Sequence, residues 1–378
     1  MTKLQLTAAL FVLATSGLAQ TKIWDNGPLV TDPGAGPGGS DLSVLQTAPP
    51  SPLSIYGYGA QRVNNNVVGD DFVITGACTV TEIEVFTYQT GSTTTSTITG
   101  LQAAIWKSAP SNTGTPLWGD VSAAGVNLMT NGLVSNTFTN IYRTTLPAAT
   151  SRPVMRVRCK LVNSVGAPTP LPLTPGRYWL TYILNGSLAS GPWVPPVAIK
   201  DQPLSGDGLQ AVNYPTGTFA AVISGTAPAT YGQGIPFNLY GACTGSSTAA
   251  ATTYGAGKSG SAGVPGWDAS GLATPGLARM TKFEIKNCVA AATPLVVLGL
   301  SSGSTVIPGI GTVLVTPFPG ASLVLPAANS ANVSRSYLLL PPDPVLGGLG
   351  LYWQGWILDA GAVGGICHSD GLKWVVGQ

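Results

Sequence analysis

The one histidine of this chain, His368, stands in Cys367-His368-Ser369-Asp370-Gly371-Leu372, so that a base, a hydroxyl and a carboxylate are consecutive. A hydrolytic triad needs the base to lie between nucleophile and orienting acid, which separated segments achieve and three neighbouring side chains do not. The run reads instead as a hairpin with Asp370-Gly371 in its turn. Fifteen carboxylates are the other source of acid and base chemistry. A glycosidase sets two of them about 5–10 Å apart across its substrate. Asp70 and Asp71 are adjacent, but neighbours at a strand start point to opposite faces. Glu82 and Glu84 share a face at the spacing of a solvated strand surface. The sequence thus assembles no catalytic constellation, although dispersed carboxylates remain the route to an alternative reading, a polysaccharide-active hydrolase.

Binding chemistry is better represented. Asp70 and Asp71, or the glycine-rich loop Asp32 to Asp41, offer oxygens to a structural calcium ion; the competing reading is that these aspartates cap their own turns. Arg156, Arg158 and Lys160 alternate with Val157, Cys159 and Leu161, and period 2 places the bases on one face. With Arg152, that stripe suits a sulfated or uronic polysaccharide, or it pairs across strands with Glu82 and Glu84. Tyr178 and Tyr182, in Arg177–Tyr182, and Trp193, in the proline-rich loop Gly191–Pro196, are candidates for a platform on which sugar rings stack. The alternative for Trp193 is that it staples its loop to the body of the protein.

Charged side chains make up 8% of the chain, against about a quarter in an ordinary soluble domain. The net formal charge of +2 gives no field for a polyanion, so nucleic acid is not an expected partner. Met1 to Ala19 has a basic start, an apolar centre and small residues before Gln20, the pattern of a secretion signal. Export to the cell surface or beyond permits disulfides. Gly-Ala-Cys-Thr occurs at 76–79 and again at 241–244, which favours a Cys78–Cys243 bond. Cys288–Cys367 would then close the C-terminal part, leaving Cys159 as a buried thiol. Val345–Ile366 is apolar but holds seven glycines, which disfavours a membrane helix and favours buried strands.

Short β-branched and aromatic runs alternate with Gly, Pro, Asn and Ser clusters, and helical periodicity is nearly absent after the signal. This predicts an all-β protein. Strands are expected at 71–75, 80–88, 102–106, 153–161, 177–184, 219–223, 236–240, 282–286, 295–300, 336–340, 349–358 and 372–376. The small-residue stretch 243–266 marks a boundary near Ala250. The expected organisation is a signal peptide over 1–19, a large jelly-roll-like β-sandwich over 20–249 and a smaller β-sandwich over 250–378.

Several motifs carry a resemblance. Val68-Gly69-Asp70-Asp71-Phe72, the run Phe86 to Ser96, Ala104-Ile105-Trp106, Asn140 to Arg143, Gly176 to Trp179 and Gly186 to Trp193 resemble an uncharacterised domain of secreted bacterial proteins. Thr253 to Gly257, Leu298 to Ser301, Leu351 to Gln354 and Ser369 to Leu372 resemble a recurrent C-terminal domain of exported planctomycete-type proteins. The resemblance implies export and a β-sandwich fold and carries no activity. The tail departs from that pattern at Lys258, where a cysteine is common. The reading that follows is a secreted, non-catalytic surface, adhesive or glycan-binding protein. Its partner would be an extracellular polysaccharide or a cell-surface component, and it would need no cofactor beyond the calcium ion considered above.

Overall fold

The computed structural model describes residues 21–49, 51–244, 250–268, 280–340 and 344–377. The segment 1–19, expected to be a secretion signal, lies outside the described residues. The described chain is almost entirely β. One sheet orders its strands Thr21–Asp25, Phe237–Thr244, Ala77–Thr87, Pro153–Lys160, Leu133–Thr144 and Asp41–Val44, with Leu171–Leu173 beside Ala77–Thr87 as the seventh. A second sheet orders Phe219–Ala221, Leu209–Ala211, Val67–Ile74, Gly176–Gly186, Ile98–Trp106 and Trp118–Gly119. The chain passes repeatedly from one sheet to the other, as a jelly-roll-like sandwich requires.

Alternation builds the core between them. Ile83, Val85, Val157 and Leu239 point inward from the first sheet; Val68, Phe72, Leu180 and Leu184 meet them from the second, all fully buried. Burying each such side chain contributes about 1.5–3 kcal/mol. Phe72 anchors the contact, its ring centroid 6.1 Å from that of Phe237 and 5.7 Å from that of Tyr178. The outer face of the second sheet is covered too, by a cluster of Val67, Ala104, Trp106, Val121, Trp179 and Ile183.

A separate core forms from Trp267 onward. A five-stranded sheet runs Ala250–Tyr254, Ile366–Val375, Gly350–Leu358, Leu295–Ile307 and Gly311–Val324, and a three-stranded sheet runs Gly266–Asp268, Met280–Lys286 and Ser334–Leu339. Between them Ile285, Val296, Trp353, Ile357 and Trp374 are buried, with Trp353 and Trp374 edge to face at 5.7 Å.

Three expectations about elements change. The run 219–223 divides between Phe219–Ala221 and a hairpin strand, Ile223–Thr226. Leu295–Ile307 continues seven residues beyond Leu300, through Ser, Gly and Thr that carry little hydrophobic signal. Asp370 and Gly371 are not a turn but lie inside Ile366–Val375, where Gly371 pairs with both Tyr254 and Gln354. Glycine is required there because a Cβ would run into the Tyr254 ring.

Candidate binding surface

The exposed side of the seven-stranded sheet brings five strands' polar residues into one row. Asn238 faces Asp25 on one side and Glu84 on the other; Tyr240 likewise lies between Lys22 and Glu82. Glu82 faces Lys160, Glu84 faces Arg158 and Phe86 faces Arg156. Thr137 lies beyond, opposite Arg156. Period 2 does this, since the alternate residues of the same strands fill the core.

The glutamates are not solvated as their spacing had implied: Glu82 is 5% and Glu84 3% exposed. Long neighbours lie over them. The Arg158 guanidinium donates to Glu82 Oε2 at 2.5 Å and stacks 3.4 Å above the Tyr240 ring. Glu84 Oε1 accepts from Asn238 Nδ2 at 2.7 Å and from the Tyr240 hydroxyl at 3.2 Å, while Arg156 Nε stands 3.7 Å from Oε2. Burial, and then the Glu84 charge, push the Tyr240 phenol up to about 12, so it stays a neutral donor. Arg158 is thereby neutralised. Arg156 keeps a half-exposed side chain at the mouth of a depression of about 300 Å³, whose walls include Asp25, Glu84, Phe86, Asn238 and Tyr240. That volume is at the lower end for small-ligand sites. A second depression, of about 340 Å³, lies beside Trp118. Its polar groups are turned to their own chain: Asn163 Oδ1 caps Val165 and Ala167, and the Trp118 indole donates to Thr169.

The proposed aromatic platform is not assembled. Tyr178 is 2% and Tyr182 0% exposed, both on the core side of Gly176–Gly186 with Leu180. Burial above all, and then the Asp70 charge, raise the Tyr182 phenol well above its ordinary pKa. Trp193 is half-buried, pairs with Gly59 and donates from its indole to Ser190 Oγ at 3.2 Å. Both faces of the tyrosine strand are covered, so the rings that looked available in sequence are packing.

Asp70 and Asp71 bring their carboxylates closer together than a split across two faces implies. Carboxylate oxygens of Asp70, Asp71 and Asp207 lie within 4.8 Å of one another. The strand Leu209–Ala211 stops pairing at Gly69, so the edge beyond it meets the segment that carries Asp207. Asp70 accepts from Asn26 Nδ2 at 2.9 Å and from the Ile235 N–H at 2.8 Å. Arg177 bridges the other two, at 2.6 Å to Asp71 and 3.1 Å to Asp207. The oxygens would suit calcium, but a guanidinium already supplies positive charge there. In the loop Asp32 to Asp41, Asp41 accepts from the Gly34 N–H and Asp32 pairs with Lys200, so both aspartates are engaged by the protein itself.

Cys78 and Cys243 are bonded and face each other in register. Cys288 and Cys367 are not paired; with Cys159 they are buried free thiols. Burial pushes Cys159 up to about 12 and Cys288 up to about 11, which keeps both protonated. The consecutive His368, Ser369 and Asp370 diverge. The ring bonds the Thr312 N–H, Ser369 Oγ accepts from the Gly355 N–H, and Asp370 accepts from the Trp267 N–H.

Among the described residues no helix is long and apolar enough to cross a membrane. Comparison with protein-family models, with curated proteins and with solved structures finds no match to this chain.

Proposed function

We propose that the protein is an exported, non-catalytic glycan-binding or adhesive module, and that the depression over Glu84, Phe86, Arg156, Asn238 and Tyr240 is where a polysaccharide lies. The observation that carries this reading is the convergence of fixed, charged and amide groups with a phenyl and a phenol ring on one sheet face. Such a surface offers hydrogen bonds to sugar hydroxyls and apolar area to ring C–H groups. The neutralisation of Arg158 by Glu82 favours a neutral glycan over a sulfated or uronic one. Export and attachment at a cell surface are supported by the leader-like first 19 residues and by the low-charge composition.

A hydrolase is the second reading, favoured by one observation: Asp25 and Glu84 flank Asn238 in register, two strand spacings apart. Two such spacings are about 9.5 Å, within the range of an inverting carboxylate pair. Against it, Glu84 is buried and its Oε1 is already taken by Asn238 and Tyr240, which leaves little of the carboxylate open to a substrate. Screening the chain from Gln20 onward against an array of neutral and anionic glycans, with reducing-sugar release read in parallel, separates the readings. Retention of neutral glycans without release is expected. Release abolished by Glu84→Gln would establish the hydrolase, and retention of anionic glycans alone would contradict the neutral-glycan assignment.

A further inference from the structure

The edge of the five-stranded sheet is closed by side chains, and one of them is the only imidazole. Gly311–Val324 pairs on one side with Leu295–Ile307 and, among the described residues, has no strand on the other. An open edge is usually guarded by charge, yet residues 295–324 carry none. Side chains do the closing instead. Gln354, fully buried, acts as a miniature strand: its Nε2 donates to the Thr312 carbonyl at 2.8 Å and its Oε1 accepts from the Leu314 N–H at 2.8 Å. The Tyr254 hydroxyl donates to the Leu314 carbonyl at 2.8 Å. The Thr312 N–H donates to His368 Nε2 at 3.2 Å. Gly311 lets the chain come this close, at φ +146 and with no room for a Cβ beside the imidazole.

This geometry fixes the tautomer. Nε2 faces a backbone N–H and must carry a lone pair, so the proton sits on Nδ1, 3.0 Å from the Ser369 carbonyl; the Gln354 amide nitrogen, 3.2 Å from Nδ1, directs its two protons to the Thr312 and Ser369 carbonyls. A second proton, taken from solvent, would land on Nε2 and set two donors against each other. We propose that His368 is an acid-released clasp: its protonation frees the Thr312–Leu314 edge, which neutral imidazole holds shut.

The surroundings favour release over accommodation. Lys258 is the charged group that acts on the ring, its ammonium fixed on the same hairpin by the carbonyls of Ile310 at 2.7 Å and Gly309 at 3.3 Å and on the turn beyond by Val363 at 2.6 Å. The nearby carboxylates are committed elsewhere. Asp359 accepts from Ser261 and Gly361 and lies 4.0 Å from the Cys367 thiol; Asp370 accepts from Trp267. The neighbouring strand presents only Gln354 and the Trp356 ring, 4.7 Å from the imidazole, and the Tyr254 phenol, held up at about 12, stays neutral. Thus no described carboxylate compensates a new imidazolium, while a lysine opposes it.

Amide hydrogen exchange on the full chain, read at Thr312 and Leu314 and corrected for intrinsic rates, tests the clasp. Protection at these two amides is expected to fall by up to about tenfold for each pH unit between the released-state value of His368, near the ordinary 6.5, and its folded-state midpoint, and to level off below that midpoint. An NMR titration of His368 in the same wild-type sample should give that same midpoint. In His368→Gln, which places an acceptor that does not titrate, the fall should vanish. Protection independent of pH in the wild type, a midpoint that does not coincide with His368, or an undiminished fall in His368→Gln would each overturn the proposal.

Discussion

Glu84 accepts from Asn238 and Tyr240 and lies 3.7 Å from Arg156 Nε, so its charge is held from the strands on both sides of its own. Its role is to fix the donors that border the depression, and the exposed half of Arg156 is what a ligand would meet first. Arg177 has the opposite character, a structural cation between Asp71, 1% exposed, and Asp207. Removing one partner of a buried ion pair leaves an uncompensated charge. Arg177→Met is therefore expected to lower unfolding stability by about 2–3 kcal/mol in denaturant titrations, somewhat less than for a wholly buried pair. Because Arg177 supplies the positive charge, adding a chelator to the wild type should leave its melting temperature unchanged; a fall would instead identify a bound calcium ion. At this scale the sequence was half legible. The alternation of Arg156, Arg158 and Lys160 was visible, but Asn238 and Tyr240 were not recognised as their neighbours. They lie about 80 positions away on Phe237–Thr244, and sheet pairing across that distance leaves no local signal.

Strands and their links show the same division between local and distant information. Period 2 identified about half of the strands, because an alternating face must be buried somewhere, but gave no sign of the long strands Leu133–Thr144 and Gly311–Val324. It did not show that Gly176–Gly186 is covered on both faces, which is why Tyr178 and Tyr182 looked available and are core. Asp370-Gly371 imitated a turn because the reason for the glycine, the Tyr254 ring, comes from another strand. The Cys78–Cys243 bond joins neighbouring strands across 165 positions. For a loop of that length the chain-entropy model gives about 5 kcal/mol, so Cys78→Ser with Cys243→Ser should lower stability by roughly 2–5 kcal/mol. His368 sets a pH dependence of its own. Burial, with a smaller push from Lys258, outweighs the hydrogen bond to the Ser369 carbonyl and holds its pKa in the folded chain below the ordinary 6.5. The unfolded chain therefore takes up a proton that the folded chain refuses. This contribution to stability is complete above the unfolded value and declines as pH falls through the window to the folded one. Thermal melts between about pH 7.5 and 5 should show the decline, and His368→Gln should flatten it.

At the scale of the whole molecule, the buried cluster from Ile23 to Leu239 and the cluster from Trp267 to Val376 share no residue. Between the parts that hold them, Arg335 pairs with Asp201 at 3.0 Å. Calorimetry is expected to resolve two transitions, with loss of the Cys78–Cys243 bond displacing only one; a single transition that shifts as a unit would contradict independent cores. All-β architecture was legible from composition and punctuation, since β-branched and aromatic runs without helical periodicity alternate with Gly and Pro clusters beyond residue 19. What the molecule binds was not, because the depression is made by residues 25, 84, 86, 156, 238 and 240, drawn together only by the sheet. The central claim is best tested by titration calorimetry of a neutral polysaccharide into the wild type and into Arg156→Ala. That side chain is half exposed and its pairing with Glu84 is loose, so the variant should keep its stability within about 1 kcal/mol. The account predicts measurable binding by the wild type and at least about a tenfold loss in the variant. Equal affinity in the two proteins, or binding by neither, would contradict it.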